Sequence, residues 1–267
     1  MNPLTHGKFS FEWLGQNGFK LNEPLVILGS VLPDFSLVGV FPERQAHTNG
    51  IAFLNYLQEK EPLLAPLGVG FMLHGEKPNC LDYFTHKRKG YIAGKSEAVS
   101  EIVERAKLKL DSWYHKTSDD FVHSVIEFSG DTLIEPEFVK KLHNAFTSVD
   151  LQKVSFHVSN FFKSDQKSLL RALRYFKMFD FGKLQTTKGI VHSIQDFAVI
   201  RAFSQKNNTF ERYAALVNRL NFWRAHKLVE VINKAREVVA EDYHEFLAKT
   251  NEKIKRHTAR HVAGVLA

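Results

Sequence analysis

His115, Asp119, His123, Glu127 and Asp131 recur every four residues in a stretch of helical character, so neighbouring members project from one face. Imidazole nitrogens and carboxylate oxygens are common ligands of zinc and manganese, and a His and a Glu four apart can grip one ion from a single helix. A four-residue step drifts about 40° per turn against the 3.6 period, and sixteen residues span about 24 Å, so at most two or three of the five share a site. His123 and Glu127 are singled out because Phe121, Val122, Val125, Ile126 and Phe128 flank them, and an unpaired His or Glu on an apolar helix is costly. Asp119 with Asp120 suits the first turn of that helix, and Asp131, just after Gly130, reads as a turn residue. A second run, from Leu73-His74 to Asp82-Tyr83-Phe84-Thr85-His86, has the same chemistry. Lys87, Arg88 and Lys89 follow it directly and are candidates for holding an anionic group of a substrate, with a solvated basic loop as the alternative.

These side chains need a scaffold, and 267 residues with 44% hydrophobic content are enough for one large domain or two small ones. The single cysteine, Cys80, excludes an intramolecular disulfide and a cysteine-rich zinc module, so any metal site is built from the thirteen histidines and the carboxylates. The amino-terminal sequence lacks a charged start followed by an apolar core, and no run approaches eighteen uninterrupted apolar residues, so a soluble, cytoplasmic protein is expected. A formal charge of +7 and a pI near 9.3 suit an anionic partner such as a phosphate-bearing substrate. No recognition motif accompanies the charge, so nucleic acid is not the expected partner.

Residues 1–95 read as irregular and rich in Gly and Pro. From Ser96 onward the pattern turns helical, with an amphipathic helix through Ala98, Ile102, Val103, Ala106 and Leu110 ending near Trp113. Further helices are predicted at 135–147, 150–163, 166–179 and 189–205, and one long helix or a broken pair at 210–248. Asp180-Phe-Gly182 with Thr186, Thr187 and Gly189 is the best linker candidate. The expected architecture is all-α, a multi-helix bundle whose metal ligands come from several helices and loops. Residues 1–180 would form the metal-binding part and 181–267 a carboxy-terminal extension packed on it, or the whole chain would be a single domain.

His6, Gly29-Ser30-Val31-Leu32-Pro33-Asp34, His47, Leu73-His74, Asp82-Tyr83-Phe84-Thr85, His86 and His123-Ser124-Val125-Ile126-Glu127 follow one another in an order that resembles the zinc-dependent phospholipase C family, an all-α fold shared with fungal single-strand nucleases. The resemblance covers about residues 1–131. It implies a cluster of up to three zinc ions, Asp34 as a bridging and catalytic carboxylate, and His74, Asp82, His86, His123 and Glu127 as further ligands. His6 and His47 fit by order and rough distance. Four more residues than in the family separate His74 from Asp82, Pro78 among them, so that element cannot be one continuous helix. The family's mature amino-terminal Trp ligand has no counterpart here.

The reading is therefore a metal-dependent hydrolase of phosphoesters, with zinc as the expected metal and manganese the alternative, and with Lys87 and Arg88 as substrate-binding residues. Peripheral lipid contact is compatible with such a substrate. A similarity to acyl carrier protein phosphodiesterases, carried by the opening Met-Asn-x-Leu-x-His and a later Gly-x-x-x-x-Asp-Phe, supports a rival reading as a manganese-dependent hydrolase acting on an acidic protein. A non-catalytic helical binding module and a nucleic-acid-binding protein are the remaining alternatives.

Overall fold

The computed structural model describes residues 2–106, 118–204 and 225–266, and every regular element among them is helical. Fourteen α-helices follow in chain order. They are α1 (Pro3–Asn17), α2 (Glu23–Val31), α3 (Glu43–Thr48), α4 (Gly50–Lys60), α5 (Ala65–His74), α6 (Leu81–His86) and α7 (Tyr91–Arg105). After these come α8 (Ser118–Asp131), α9 (Pro136–Thr147), α10 (Leu151–Phe162), α11 (Gln166–Lys177), α12 (Thr187–Ser204), α13 (Ala225–Ala240) and α14 (Tyr243–Leu266). Three short 3-10 segments, Leu32–Val38, Pro62–Leu64 and Phe181–Gln185, join some of them.

The amino-terminal 95 residues are thus helical, against the expectation of irregular structure. The prolines that look like breakers stand where a helix tolerates them. Pro3, Pro24, Pro66 and Pro136 lie in first turns, where the missing N–H would have no partner anyway. Every residue of α5 is buried, which removes the amphipathic period that a sequence reading depends on. Its glycines serve packing. A Cβ on Gly70 would lie 1.9 Å from the Val26 carbonyl oxygen, and one on Gly29 would lie 2.0 Å from that of Leu67. The backbones of α2 and α5 therefore touch, and this contact places Ser30 and the Asp34 segment against the end of α5.

Later helices lie close to their expected bounds, with cap chemistry to match. Asp150 accepts from the Gln152 and Lys153 backbone N–H groups at the start of α10, and Asp165 from that of Ser168 at the start of α11. The expected linker is a packed 3-10 segment, with Phe181 and Leu184 buried; its Asp and Gly mark a tight turn, the Asp180 carboxylate accepting from the Gly182 N–H. The run expected at 210–248 includes a break between α13 and α14, and its portion before Ala225 lies outside the described residues. The same holds for the end of the helix expected to reach Trp113. One cluster of buried apolar side chains runs from Leu4 to Val262. Among the described residues no helix is long and apolar enough to cross a membrane.

Candidate metal centre

Each candidate ligand sits near a helix end or on a helix facing the same region. His6 is one turn into α1 and buried, Asp34 lies in the 3-10 segment after α2, and His47 occupies the last turn of α3. His74 is the final residue of α5, while Asp82 and His86 begin and end α6. His123 and Glu127 are one turn apart on α8. The segment between α5 and α6 turns back on itself, anchored by the Glu76 and Lys77 N–H groups donating to the His47 carbonyl. This reversal returns Asp82 to His74 although the two lie on separate helices.

The eight residues fall into three groups that could hold a metal ion: His6, His74 and Asp82; Asp34, His47 and His74; and His86, His123 and Glu127. Within each, the ligand atoms lie within 4.8 Å of one another. Asp82 is fully buried, belongs to the first of these and also lies close to His47 of the second. Its Oδ2 is 3.0 Å from His74 Nε2 and 3.3 Å from His47 Nε2, and its Oδ1 is 3.6 Å from His6 Nε2. His74 Nε2 also lies 3.9 Å from Asp34 Oδ1. In the third group Glu127 Oε1 is 3.1 Å from His86 Nε2 and 3.2 Å from His123 Nε2.

The far sides of two rings decide what their near sides can do. His74 Nδ1 is 2.7 Å from the Ser30 carbonyl oxygen, and His47 Nδ1 is 2.8 Å from that of Glu43. A carbonyl only accepts, so both Nδ1 atoms carry the proton, and in the neutral rings Nε2 is a lone pair. That lone pair faces carboxylate oxygens, which also only accept. His74 Nε2, both Asp82 oxygens and Asp34 Oδ2 are buried without a hydrogen-bond partner. Buried acceptors facing acceptors are unstable unless a cation lies among them. The donor set, His nitrogen with carboxylate oxygen, and the carbonyl-oriented imidazoles fit zinc or manganese.

Electrostatics in the same place point to a demand for positive charge. Burial alone would lower the His74 pKa, yet Asp82 and Asp34 raise it above the usual imidazole value. Burial opposes ionisation of Asp82 and Glu127, but the imidazoles around Asp82 hold it below the ordinary carboxylate range, and the amino-terminal charge with His123 and His86 does the same for Glu127. Burial, reinforced by the stacked ring of His74 at 3.8 Å, pushes His6 down to about 3. His86 is pushed up to about 9; burial opposes this, and Asp82 with Glu127 overcomes it.

A cavity of about 360 Å³ opens on the cluster, and Asp34, His47, His86, His123 and Glu127 contribute to its wall. The cation lining it is Arg44, not Lys87 or Arg88. Arg44 went unnoticed in the sequence, although its position three before His47 places it on the same face of α3. Arg88 is exposed, and Lys87 lines a different cavity. Of the four-residue ladder, His115 lies outside the described residues, and Asp119 joins no metal-type group. Asp131 is a correction. It is the last residue of α8 and fully buried, accepting from the Thr5 N–H at 2.8 Å and the Thr5 hydroxyl at 2.7 Å.

No family model, curated protein or solved structure matches this chain. The site is therefore interpreted from its own geometry.

Proposed function

We propose that this protein is a metal-dependent hydrolase of phosphoesters, in keeping with the resemblance to zinc-dependent phospholipase C. The observation that carries the reading is the confrontation at Asp82: two imidazoles whose Nδ1 atoms are committed to carbonyls turn Nε2 toward a buried carboxylate, which leaves acceptors facing acceptors unless a metal ion lies between them or a ring such as His74 is protonated. Bound divalent ions, zinc first and manganese as the alternative, would supply Lewis acidity at the phosphoryl oxygens and a water acidic enough to attack at neutral pH.

The chain's own residues account for the rest. His6, His47, His74 and Asp82 hold one side of the centre, and His86, His123 and Glu127 the other. Asp34 has a buried, unpartnered Oδ2 and borders the cavity, which suits it to accept the proton of the attacking water. Arg44 has no carboxylate partner among the described residues and lines the same cavity, so its planar fork of donors can take the non-bridging oxygens of a phosphodiester. The group of His86, His123 and Glu127 shares no member with the two groups at His74, which favours more than one ion over a single one, and hence this reading over the acyl carrier protein phosphodiesterase alternative.

The test combines elemental analysis of purified protein with hydrolysis of bis(p-nitrophenyl) phosphate and of phosphatidylcholine. At least two divalent ions per chain and zinc-restored activity after chelation are expected. Protein that holds no metal, or whose hydrolysis is indifferent to chelator, would refute the proposal.

A further inference from the structure

A second cavity, of about 300 Å³, lies between the α6–α7 turn and α14. Phe246, Lys249, Thr250 and Lys253 face it from α14, at spacings that keep them on one side of that helix. Phe84, Lys87, Lys89 and Tyr91 face it from the other wall. Its acidic members are paired, although Asp242 shares its ammonium with Glu241. Asp242 receives the Lys95 ammonium at 3.1 Å and the Tyr91 hydroxyl at 2.9 Å, and Glu245 pairs with Lys249. Lys87, Lys89 and Lys253 have no carboxylate partner among the described residues.

Two of these cations lie over one aromatic ring, although Lys253 is otherwise exposed. Lys87 Nζ lies 4.5 Å from the centroid of the Phe84 ring, and Lys253 Nζ lies 5.5 Å from the same centroid. The ring attracts each ammonium but accepts no N–H in the way an oxygen does, so both retain donors. Two like charges gathered on one aromatic side chain, at the mouth of a cavity with the size of a small-molecule site, have an unmet demand for an anion.

We propose that this cavity binds a phosphate group carrying two negative charges, with Lys87 and Lys253 as its principal donors and Lys89 as a flanking cation. The site is separate from the metal centre and does not rest on the hydrolase reading, although Lys87 directly follows His86. The phosphate can belong to a free phosphomonoester or to a lipid headgroup of the phosphatidic acid type.

Calorimetric titration of the full chain with inorganic phosphate at constant ionic strength, against chloride as the blank, tests the site. Saturable binding is expected, weakened about tenfold in the Lys87→Gln/Lys253→Gln double variant. The Lys87→Arg/Lys253→Arg protein should retain it. Sedimentation with phosphatidylcholine vesicles, with and without phosphatidic acid, identifies the source. Lysine-dependent binding to the acidic vesicles that inorganic phosphate displaces would assign the lipid headgroup, and lysine-dependent binding of phosphate alone the soluble ligand. Equal affinity in wild type and the glutamine double variant, or binding no stronger than that of chloride, would overturn the proposal. Metal content and hydrolysis enter none of these readouts, so failure here is distinguishable from failure of the hydrolase reading.

Discussion

An imidazole whose Nδ1 proton is given to a carbonyl can offer a metal ion only Nε2, and both His47 and His74 turn that atom toward Asp82. Replacing Asp82 with Asn would turn one of its two acceptor oxygens into a donor that those nitrogens can accept, while removing the charge that holds a cation. Asp82→Asn is therefore expected to fold with an unchanged helical circular dichroism spectrum but to lose most of its bound metal, as elemental analysis would show. Full metal content in this variant would mean that Asp82 is no ligand. Its neighbour Cys80 is chemically quiet for a related reason. Complete burial, with the Asp82 charge adding to it, raises the thiol pKa well above the usual range, so the reactive thiolate is scarce. Native protein should resist dithionitrobenzoate and react with it only after denaturation; rapid labelling would show that the start of α6 opens readily.

At the scale of elements, Asp131 ties the helix carrying His123 and Glu127 to the helix carrying His6. Thr5 sits beside His6, and its hydroxyl also lies 2.6 Å from that of Tyr243 on α14. Burial pushes the Asp131 carboxyl up to about 7, although hydrogen bonds from Thr5 and Leu4 pull it down. The folded state thus binds a proton that the unfolded chain, with its carboxyl near the ordinary value of 3.8, has already released at mildly acid pH. Stability from this group is complete below pH 4 and is lost as pH rises toward about 7, by an amount on the order of a few kcal/mol. Asp131→Asn, which mimics the protonated side chain, should flatten that slope in denaturant titrations between those limits. Asp131→Ala should cost about 2–4 kcal/mol below pH 4 by stranding the Thr5 donors, and less as pH rises, because only the wild type loses stability there. A sequence reading makes Asp131 a turn residue because Gly130 precedes it; its partners lie 126 residues away, and no local pattern reports them. The same limit hid the amino-terminal helices. His123 and Glu127 were legible because helical spacing alone brings them together, whereas the convergence of His6, Asp34, His47, His74 and Asp82 depends on backbone contacts such as that at Gly70. Gly70→Ala would force α2 and α5 apart and should lower stability by about 1–3 kcal/mol or more, with metal content falling alongside it.

For the molecule as a whole, the candidate metal centre is where the chain's separate parts meet. Its candidate ligands come from α1, the 3-10 segment after α2, α3, α5, α6 and α8, while α14 braces α1 through Tyr243 and Thr5. An unfolded chain cannot bring six such segments together, so a bound ion stabilises the folded state almost exclusively. At a hundredfold excess of free metal over its dissociation constant, one site adds about 2.7 kcal/mol, which for a chain of this size corresponds to roughly 5–10 °C in melting temperature. Chelated protein titrated with zinc or manganese should show that rise. His123→Ala and Glu127→Ala should each remove only the share belonging to the group with His86, because the two groups around His74 do not include them. His74→Ala should remove the complementary share, that of the ion held at its Nε2, and leave the share of the group with His86. Equal metal-induced stabilisation of wild type and all three variants would mean that the ion binds elsewhere, and would leave the buried acceptors around Asp82 to be satisfied by protons on His74 and its neighbours.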